Sequence, residues 1–140
     1  MFYRRFGDKY VVRLERGEEL VSSLNELIEK EDIQLASVSG IGAVDRAEIS
    51  IYSFASKKYS IKDIEEEMEL VSLQGNIARK DGEPVLHLHA SVACEDCKVF
   101  GGHLHSANIS VTGEIIIQII DGKLNKSYDE ETGANLFNFD

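Results

Sequence analysis

The chain lacks any apolar run long enough to cross a membrane. Its longest apolar run, Ile115 to Ile120, is interrupted by Gln118 and has the length of a β-strand. The N-terminal segment MFYRRFGDKY has two arginines but no apolar core behind them, so it does not resemble a secretory signal. These absences predict a cytoplasmic protein with no membrane partner.

Basic residues are scarce. Lysine and arginine together number 15 against 25 acidic residues, and the formal net charge is -10. The only basic clusters are three pairs, Arg4-Arg5, Lys57-Lys58 and Arg79-Lys80. Such a surface repels the phosphates of a duplex unless a local basic stripe intervenes. DNA is therefore a disfavoured partner.

Cysteine is limited to Cys94 and Cys97, which form a CxxC motif in ACEDCK. Such a pair can be a redox dithiol, half of a zinc site or two incidental thiols in a turn. The neighbouring acids Glu95 and Asp96 would raise the thiol pKa values, which favours the incidental interpretation. A zinc site that combines these thiols with His103 or His105 is the alternative.

Histidine is absent outside residues 87 to 105, where it forms two His-x-His pairs, His87 with His89 and His103 with His105. In a strand, residues two apart share a face, so His87 and His89 are predicted to point the same way. A third imidazole, delivered after Gly101-Gly102 permits close backbone approach, would give the ligand count of a catalytic zinc site. The alternative is ordinary solvent-facing or hydrogen-bonded histidines on adjacent strands.

The length of 140 residues, with 43% hydrophobic and 29% charged residues, predicts one domain over residues 1–140. Glu18 to Lys30 has the apolar spacing of an amphipathic helix, with Gly17 as a plausible N-cap. A glycine-containing segment with Gly40 and Gly42 precedes strand-like sequence. It therefore favours a bulge or a tight backbone contact over a phosphate-binding loop.

Extended segments with strand-like composition account for most of the remaining chain. One main helix with about seven strands indicates an α+β domain with a mixed or antiparallel sheet. The tail from Asn125 to Asp140 is expected to be a loose or edge-packed ending. Ile115 to Ile120 is apolar on both faces, as in a central strand or an oligomer contact. The segments predicted as strands are Lys9–Leu14, AEISIYSF, Glu67–Ala78, Val85–Ala93, Val99–Ser110 and Val111–Ile120, and the glycine-containing segment IQLASVSGIGAV precedes AEISIYSF.

Several segments together resemble the plants-and-prokaryotes-conserved (PPC) domain family. The most specific are SLQGNIARKDGEPVLHLHAS and VFGGHLHSA, and the likeness runs from about Arg5 to Phe139. The resemblance implies an α+β domain that assembles as a homotrimer and is related in fold to acetolactate decarboxylase. In those relatives an HxH motif and a later histidine hold a zinc ion.

Carried onto this sequence, the resemblance implies His87, His89 and His103 as ligands of a divalent metal, with zinc expected. His105 goes beyond the family pattern, so its role stays open. Glu114 resembles an acidic family position and is a weak catalytic candidate or partner of the ligands; otherwise it is a strand carboxylate. Arg79 is a candidate for binding substrate.

Three functions follow as hypotheses. The first is a trimeric metal-binding protein, with no reaction assigned. The second is the DNA-binding role often attached to stand-alone members, although the basic AT-hook of the plant members is missing here. The third is an interaction scaffold whose histidines bind nothing.

Overall fold

The computed structural model describes residues 1–140 and contains one helix and nine strands. The predicted α+β class is confirmed, with a sheet that is antiparallel except for one parallel pair. The elements are β1 (Phe2–Phe6), β2 (Lys9–Glu15), α1 (Leu20–Lys30), β3 (Ala36–Ser53), β4 (Lys58–Ile64), β5 (Met68–Lys80), β6 (Glu83–Ala93), β7 (Val99–Ile119), β8 (Asn125–Asp129) and β9 (Ala134–Asn138).

The two long strands β3 and β7 pair with each other along most of their length and organise the sheet. The main path runs β1-β2-β7-β3-β5-β8-β9, while β4 pairs with β3 and β6 pairs with both β5 and β7. Strand β6 therefore lies between β5 on one side and the first part of β7 on the other. This position decides which side chains meet at its surface.

The core lies between the sheet and α1, which packs against β6 and β7. Strand β2 shows why: its residues alternate strictly between exposed and buried, as period-two patterning predicts for a half-buried strand. The apolar stripe of α1 meets this face because its apolar residues recur at helical spacing. The fully buried members of the two elements are Val12 and Leu14 on β2 and Leu20, Leu24, Leu27 and Ile28 on α1.

Helix α1 is capped by Glu19, so the prediction of Gly17 as N-cap is wrong. The Glu19 carboxylate accepts hydrogen bonds from the backbone N–H groups of Val21 and Ser22, at 3.0 and 2.6 Å. It also accepts one from the backbone of Ala107 at 3.0 Å, which ties the start of the helix to β7. Gly17 instead has a φ of +87°, a turn conformation that favours glycine.

Nine strands replace the predicted seven for two reasons. The glycine segment and AEISIYSF form one long strand, β3, and the two predicted strands Val99–Ser110 and Val111–Ile120 form another, β7, because bulges let the chain bend without ending its pairing. Four strands were missed. Strands β1 and β4 are exposed over most of their length and bury no alternating face, and the tail, expected to be loose or edge-packed, forms β8 and β9 at the edge of the sheet.

The predicted irregularity in the glycine segment is confirmed, because the β3–β5 register shifts between Gly40 and Gly42. A methyl group on Gly42 would lie 2.4 Å from the carbonyl oxygen of Thr112. The glycine therefore serves close strand approach. The one helix, α1, lacks the length and apolar character that crossing a membrane would require.

Gly75 on β5 should tolerate no side chain. A Cβ there would lie 2.1 Å from the carbonyl oxygen of His87 and 2.7 Å from Leu88 Cδ2. We expect Gly75→Ala to lower the free energy of unfolding by about 1–3 kcal/mol, because β6 must move away. Gly101→Ala, whose nearest contact is 3.1 Å, should cost less. Urea denaturation of both variants measures this, and equal losses would contradict the close-approach argument.

Candidate metal centre

Strand β6 presents two histidines on the face opposite the core. Leu88 and Ala90 are buried, while His87 is half-buried and His89 is exposed. The alternation of a pleated strand forces this division, since burying one set of alternate side chains leaves the other set on the far face. The predicted common orientation of the two rings is confirmed, with ring centroids 5.1 Å apart.

The third histidine comes from β7, whose first residues pair with β6. His103 lies directly opposite His89, and the two preceding glycines lie opposite Ala90 and Ser91. A Cβ on Gly102 would be 2.4 Å from a backbone oxygen of β3, so this stretch of β7 fits between β6 and β3 only without a side chain. The predicted role of the glycine pair in close approach is confirmed.

His87, His89 and His103 form what we call the three-histidine cluster. The ring of His103 lies 5.1 Å from that of His87 and 5.7 Å from that of His89, centroid to centroid. One ligand nitrogen from each ring lies within 4.8 Å of the others. Zinc–nitrogen bonds of about 2.0–2.1 Å place tetrahedral ligand nitrogens about 3.4 Å apart, so small ring rotations would complete the geometry.

The surroundings of the three-histidine cluster also suit a metal. An imidazole that binds a metal through one nitrogen commonly donates the N–H of the other nitrogen to an acceptor. The side-chain oxygen of Asn76 is buried without a hydrogen-bond partner, and Asn76 lies directly opposite His87 on β5. Directly opposed residues share a face of the sheet. Asn76 thus offers an unused acceptor on the histidine face, and the residues present fit a divalent metal.

The environment keeps two of the rings neutral. Burial, reinforced by the charges of His87, His105, His89 and Lys126, lowers the pKa of His103 from 6.5 to about 4. Burial and then the charge of Lys126 lower the pKa of His87. A neutral imidazole carries the lone pair that a metal requires. Both rings are therefore in the ligand form at neutral pH.

His105 lies next to the three-histidine cluster but has a partner of its own. Its Nε2 is 2.6 Å from Oγ of Ser50, which is buried on β3. The ring of Tyr59, on β4, packs against the rings of His103 and His105, with centroid-to-centroid distances of 5.3 and 5.6 Å. The fourth histidine is thus a hydrogen-bonded neighbour of the cluster, and Tyr59 forms part of the wall.

Sequence reasoning missed Lys126, which lies on β8. Its side chain is buried, and its Nζ is 5.0 Å from the centre of the Phe137 ring on β9. Its charge is close enough to lower the pKa values of His87 and His103. The available signal was the pair of short segments NKSYD and ANLFN around Gly133, which has the positive φ of a hairpin turn.

Two other sequence candidates are not members of the three-histidine cluster. Glu114 is exposed, and it pairs with Ile41 on β3 and Arg13 on β2. It lies eleven residues from His103 along β7, so the two residues are up to roughly 36 Å apart. The Arg79 guanidinium is engaged by the side chain of Asp32 at 2.9 Å and by two backbone carbonyls, which anchors the end of α1.

The cysteines lie in the turn between β6 and β7. The backbone N–H of Cys97 donates to the carbonyl of Cys94 at 2.8 Å, and no disulfide joins them. Burial and then Glu66 raise the pKa of the Cys94 thiol, which disfavours the reactive thiolate. Neither cysteine belongs to a group of three potential ligands with His103 or His105. The structure therefore does not assemble the mixed thiol–imidazole zinc set.

Comparison with known proteins identifies the family. A model described as the Plants and Prokaryotes Conserved (PCC) domain matches residues 1–121. A comparison with curated proteins gives no match. This family is the one that the sequence motifs predicted.

Solved structures support the same relationship. A Bacteroides thetaiotaomicron protein, named for a suspected DNA-binding role, is 30% identical with a TM-score of 0.96, covering 99% of this chain and 96% of its own. An Archaeoglobus fulgidus protein, described as metal-containing, is 32% identical with a TM-score of 0.86, covering 99% of each chain. Bacillus subtilis α-acetolactate decarboxylase shares the fold alone, at 9% identity and a TM-score of 0.52, over 87% of this chain and 57% of that one.

Acid should destabilise the metal-free protein through His103. As the pH falls below 6.5, His103 takes up a proton in the unfolded chain before it does so in the folded chain, because its pKa in the folded chain is about 4. The contribution of neutral His103 to the free energy of unfolding is therefore complete above pH 6.5 and is lost as the pH falls through about 4. We expect the free energy of unfolding, measured by urea denaturation of chelator-treated protein, to fall across this window and to fall less for His103→Gln. An NMR titration midpoint near 6.5 for His103 would contradict this expectation.

Proposed function

The chain belongs to the Plants and Prokaryotes Conserved domain family, and we propose that it holds one divalent metal ion, with zinc expected, on His87, His89 and His103. The observation that carries the proposal is the convergence of three imidazoles from two paired strands. The metal-containing relative from Archaeoglobus fulgidus supports it.

Three protein ligands are the number found in catalytic zinc sites, where the fourth position is left for water or substrate. A metal bound there supplies Lewis acidity, which polarises a carbonyl or lowers the pKa of a bound water toward ~7. The chain's own residues supply the orientation: His89 and His103 are fixed by their direct pairing, and His105 is held by Ser50. The exposed edge of His89 leaves the cluster open to solvent.

We also propose that the protein is a homotrimer. Five exposed apolar side chains form what we call the apolar patch, and they line two adjoining depressions on the sheet. Contiguous exposed apolar surface of this kind is typical of protein interfaces. A second copy is the occupant that the family resemblance implies. The members of the apolar patch are Val11, Ile41, Val71, Val111 and Ile116.

DNA binding is the second candidate, and its support is the suspected role of the Bacteroides thetaiotaomicron relative. The net charge of -10 opposes it. A mobility shift of duplex DNA that weakens steeply with salt would favour it. A scaffold without metal is the third candidate, and it would leave both metal content and DNA mobility unaffected by histidine replacement.

The metal proposal predicts about one metal ion per chain, matching a single three-ligand site. Elemental analysis of untagged protein, purified without chelator and then dialysed with zinc, measures it. The triple variant His87→Ala/His89→Ala/His103→Ala should lose the metal. His105→Gln is the matched control, since it removes a neighbouring imidazole outside the ligand set, and it should retain the metal. A metal-free wild type, or equal loss in both variants, would contradict the proposal.

The trimer proposal predicts a mass of about 47 kDa in solution, three times the chain mass of 15.6 kDa. Light scattering behind size-exclusion chromatography measures it. Ile41→Glu/Val111→Glu places two charges in the apolar patch and should yield monomers, because burying unpaired carboxylates is costly. The control Ile51→Glu/Ile61→Glu changes exposed isoleucines on β3 and β4, outside the patch, and should stay trimeric. A monomeric wild type would sink this proposal.

A further inference from the structure

Lys126 is the one charged side chain buried in this structure, with 7% of its surface exposed. It takes part in no hydrogen bond with a protein group and in no ion pair, and its Nζ atom is not fully enclosed. The ammonium group faces the ring of Phe137, 5.0 Å away. Lysine is almost never buried without a partner, because the loss of hydration must be offset. The side chain of Lys126 is therefore largely buried, while its ammonium group keeps access to solvent and has no protein anion beside it.

The three-histidine cluster, like Lys126, has no negative charge beside it. No aspartate or glutamate belongs to it, so a divalent metal there would keep its full charge beside neutral imidazoles. The nearby Lys126 adds a further positive charge, which acts on His87 and His103. In a chain of net charge -10, this is a local site of concentrated positive charge. An anionic ligand would neutralise it.

The hairpin that carries Lys126 is held in place beside the three-histidine cluster. At its turn, the Tyr52 hydroxyl donates to the carbonyl of Thr132 at 2.7 Å, and Lys57 Nζ donates to the carbonyl of Glu130 at 2.5 Å. Tyr52 packs on Tyr59, whose ring contacts His103. A chain of contacts therefore fixes the hairpin relative to the cluster. Lys126 is thus positioned by a built scaffold, as a specific binding site requires.

We propose that Lys126 is an anion-binding residue and that the three-histidine site takes a small ligand bearing a carboxylate or phosphate group. The anionic group lies against the Lys126 ammonium, and an oxygen of the same ligand faces the metal. This inference rests on the proposed metal function and adds the chemical class of the ligand. Charge-assisted hydrogen bonds of this kind are stronger than neutral ones, and burial strengthens them further.

The competing interpretation is structural: Lys126 fills space and contacts Phe137 through a cation–π interaction. That role predicts altered stability without altered ligand binding. It also predicts that an arginine, which packs on aromatic rings at least as well, would preserve everything that lysine does. The test therefore needs binding and stability measured on the same samples.

The experiment titrates zinc-loaded protein with inorganic phosphate, malonate and the neutral analogue malonamide in a calorimeter. Wild type should bind at least one of the two anions and not malonamide. Lys126→Met should weaken that anion roughly tenfold or more, the usual effect of losing a charge-assisted hydrogen bond. Lys126→Arg should recover most of the affinity. Lys123→Met, which removes an exposed lysine and gives the same net charge, should bind as wild type does.

Metal content and thermal midpoint are measured on every sample. Wild type that holds no zinc refutes the proposed metal function itself. Wild type that holds zinc but binds neither anion refutes the present inference alone, as does equal anion affinity in Lys126→Met. Lys126→Gln is a second uncharged variant; if both uncharged variants fail to fold, Lys126 is structural and the inference is wrong. Phosphate binding without malonate binding, or the reverse, identifies which anionic group the site accepts.

Discussion

The direct pairing of His89 with His103 across β6 and β7 is the contact on which the candidate site depends. It requires β7 to follow β6 through a short turn and to approach it closely, which the two glycines before His103 allow. It also requires β6 to keep Leu88 and Ala90 in the core, since a slip of one residue would turn the histidines inward. The same register of β6 therefore keeps its apolar side chains in the core and its histidines at the candidate site.

Burial links the core to the chemistry of this site. The same strand pairing that fixes His103 also removes it from water, which lowers its pKa and keeps its ring in the form that binds metal. The absence of carboxylates around the three-histidine cluster leaves the positive charge of a bound metal unbalanced. Lys126 increases that imbalance, and an anionic ligand would relieve it. The strand pairing that sets the geometry of the site thus also sets the charge on which the proposed ligand class rests.

The sequence predicted the parts of the site that depend on local periodicity. The orientation of His87 and His89 follows from alternation within a single strand, and the closeness of His103 follows from a short turn and from the glycine pair that precedes it in β7. The prediction of α1 also held, because its apolar residues recur at helical spacing. The cap did not, because Glu19 rather than Gly17 accepts the hydrogen bonds of Val21 and Ser22. A further bond from Ala107, far along the chain, holds Glu19 in place, and the sequence gives no sign of that contact.

Lys126 shows the same limit more clearly. In sequence it is one lysine in a polar tail, and its burial arises only when β8 and β9 pair and dock on Tyr52 and Lys57. Strand β4 was also missed, although Tyr59 and Ile61 alternate with polar residues in KYSIKDI, and this strand delivers Tyr59 to the histidines. Pattern reasoning found the three histidines that we propose as metal ligands, and the folded chain was needed to find the wall around them.

The measurement that tests the central claim most directly is anomalous diffraction at the zinc absorption edge from crystals of zinc-loaded protein. The account predicts one strong peak per chain, within about 2.0–2.1 Å of a nitrogen from each of His87, His89 and His103. No peak at these rings, or a peak at Cys94 and Cys97 instead, would contradict it.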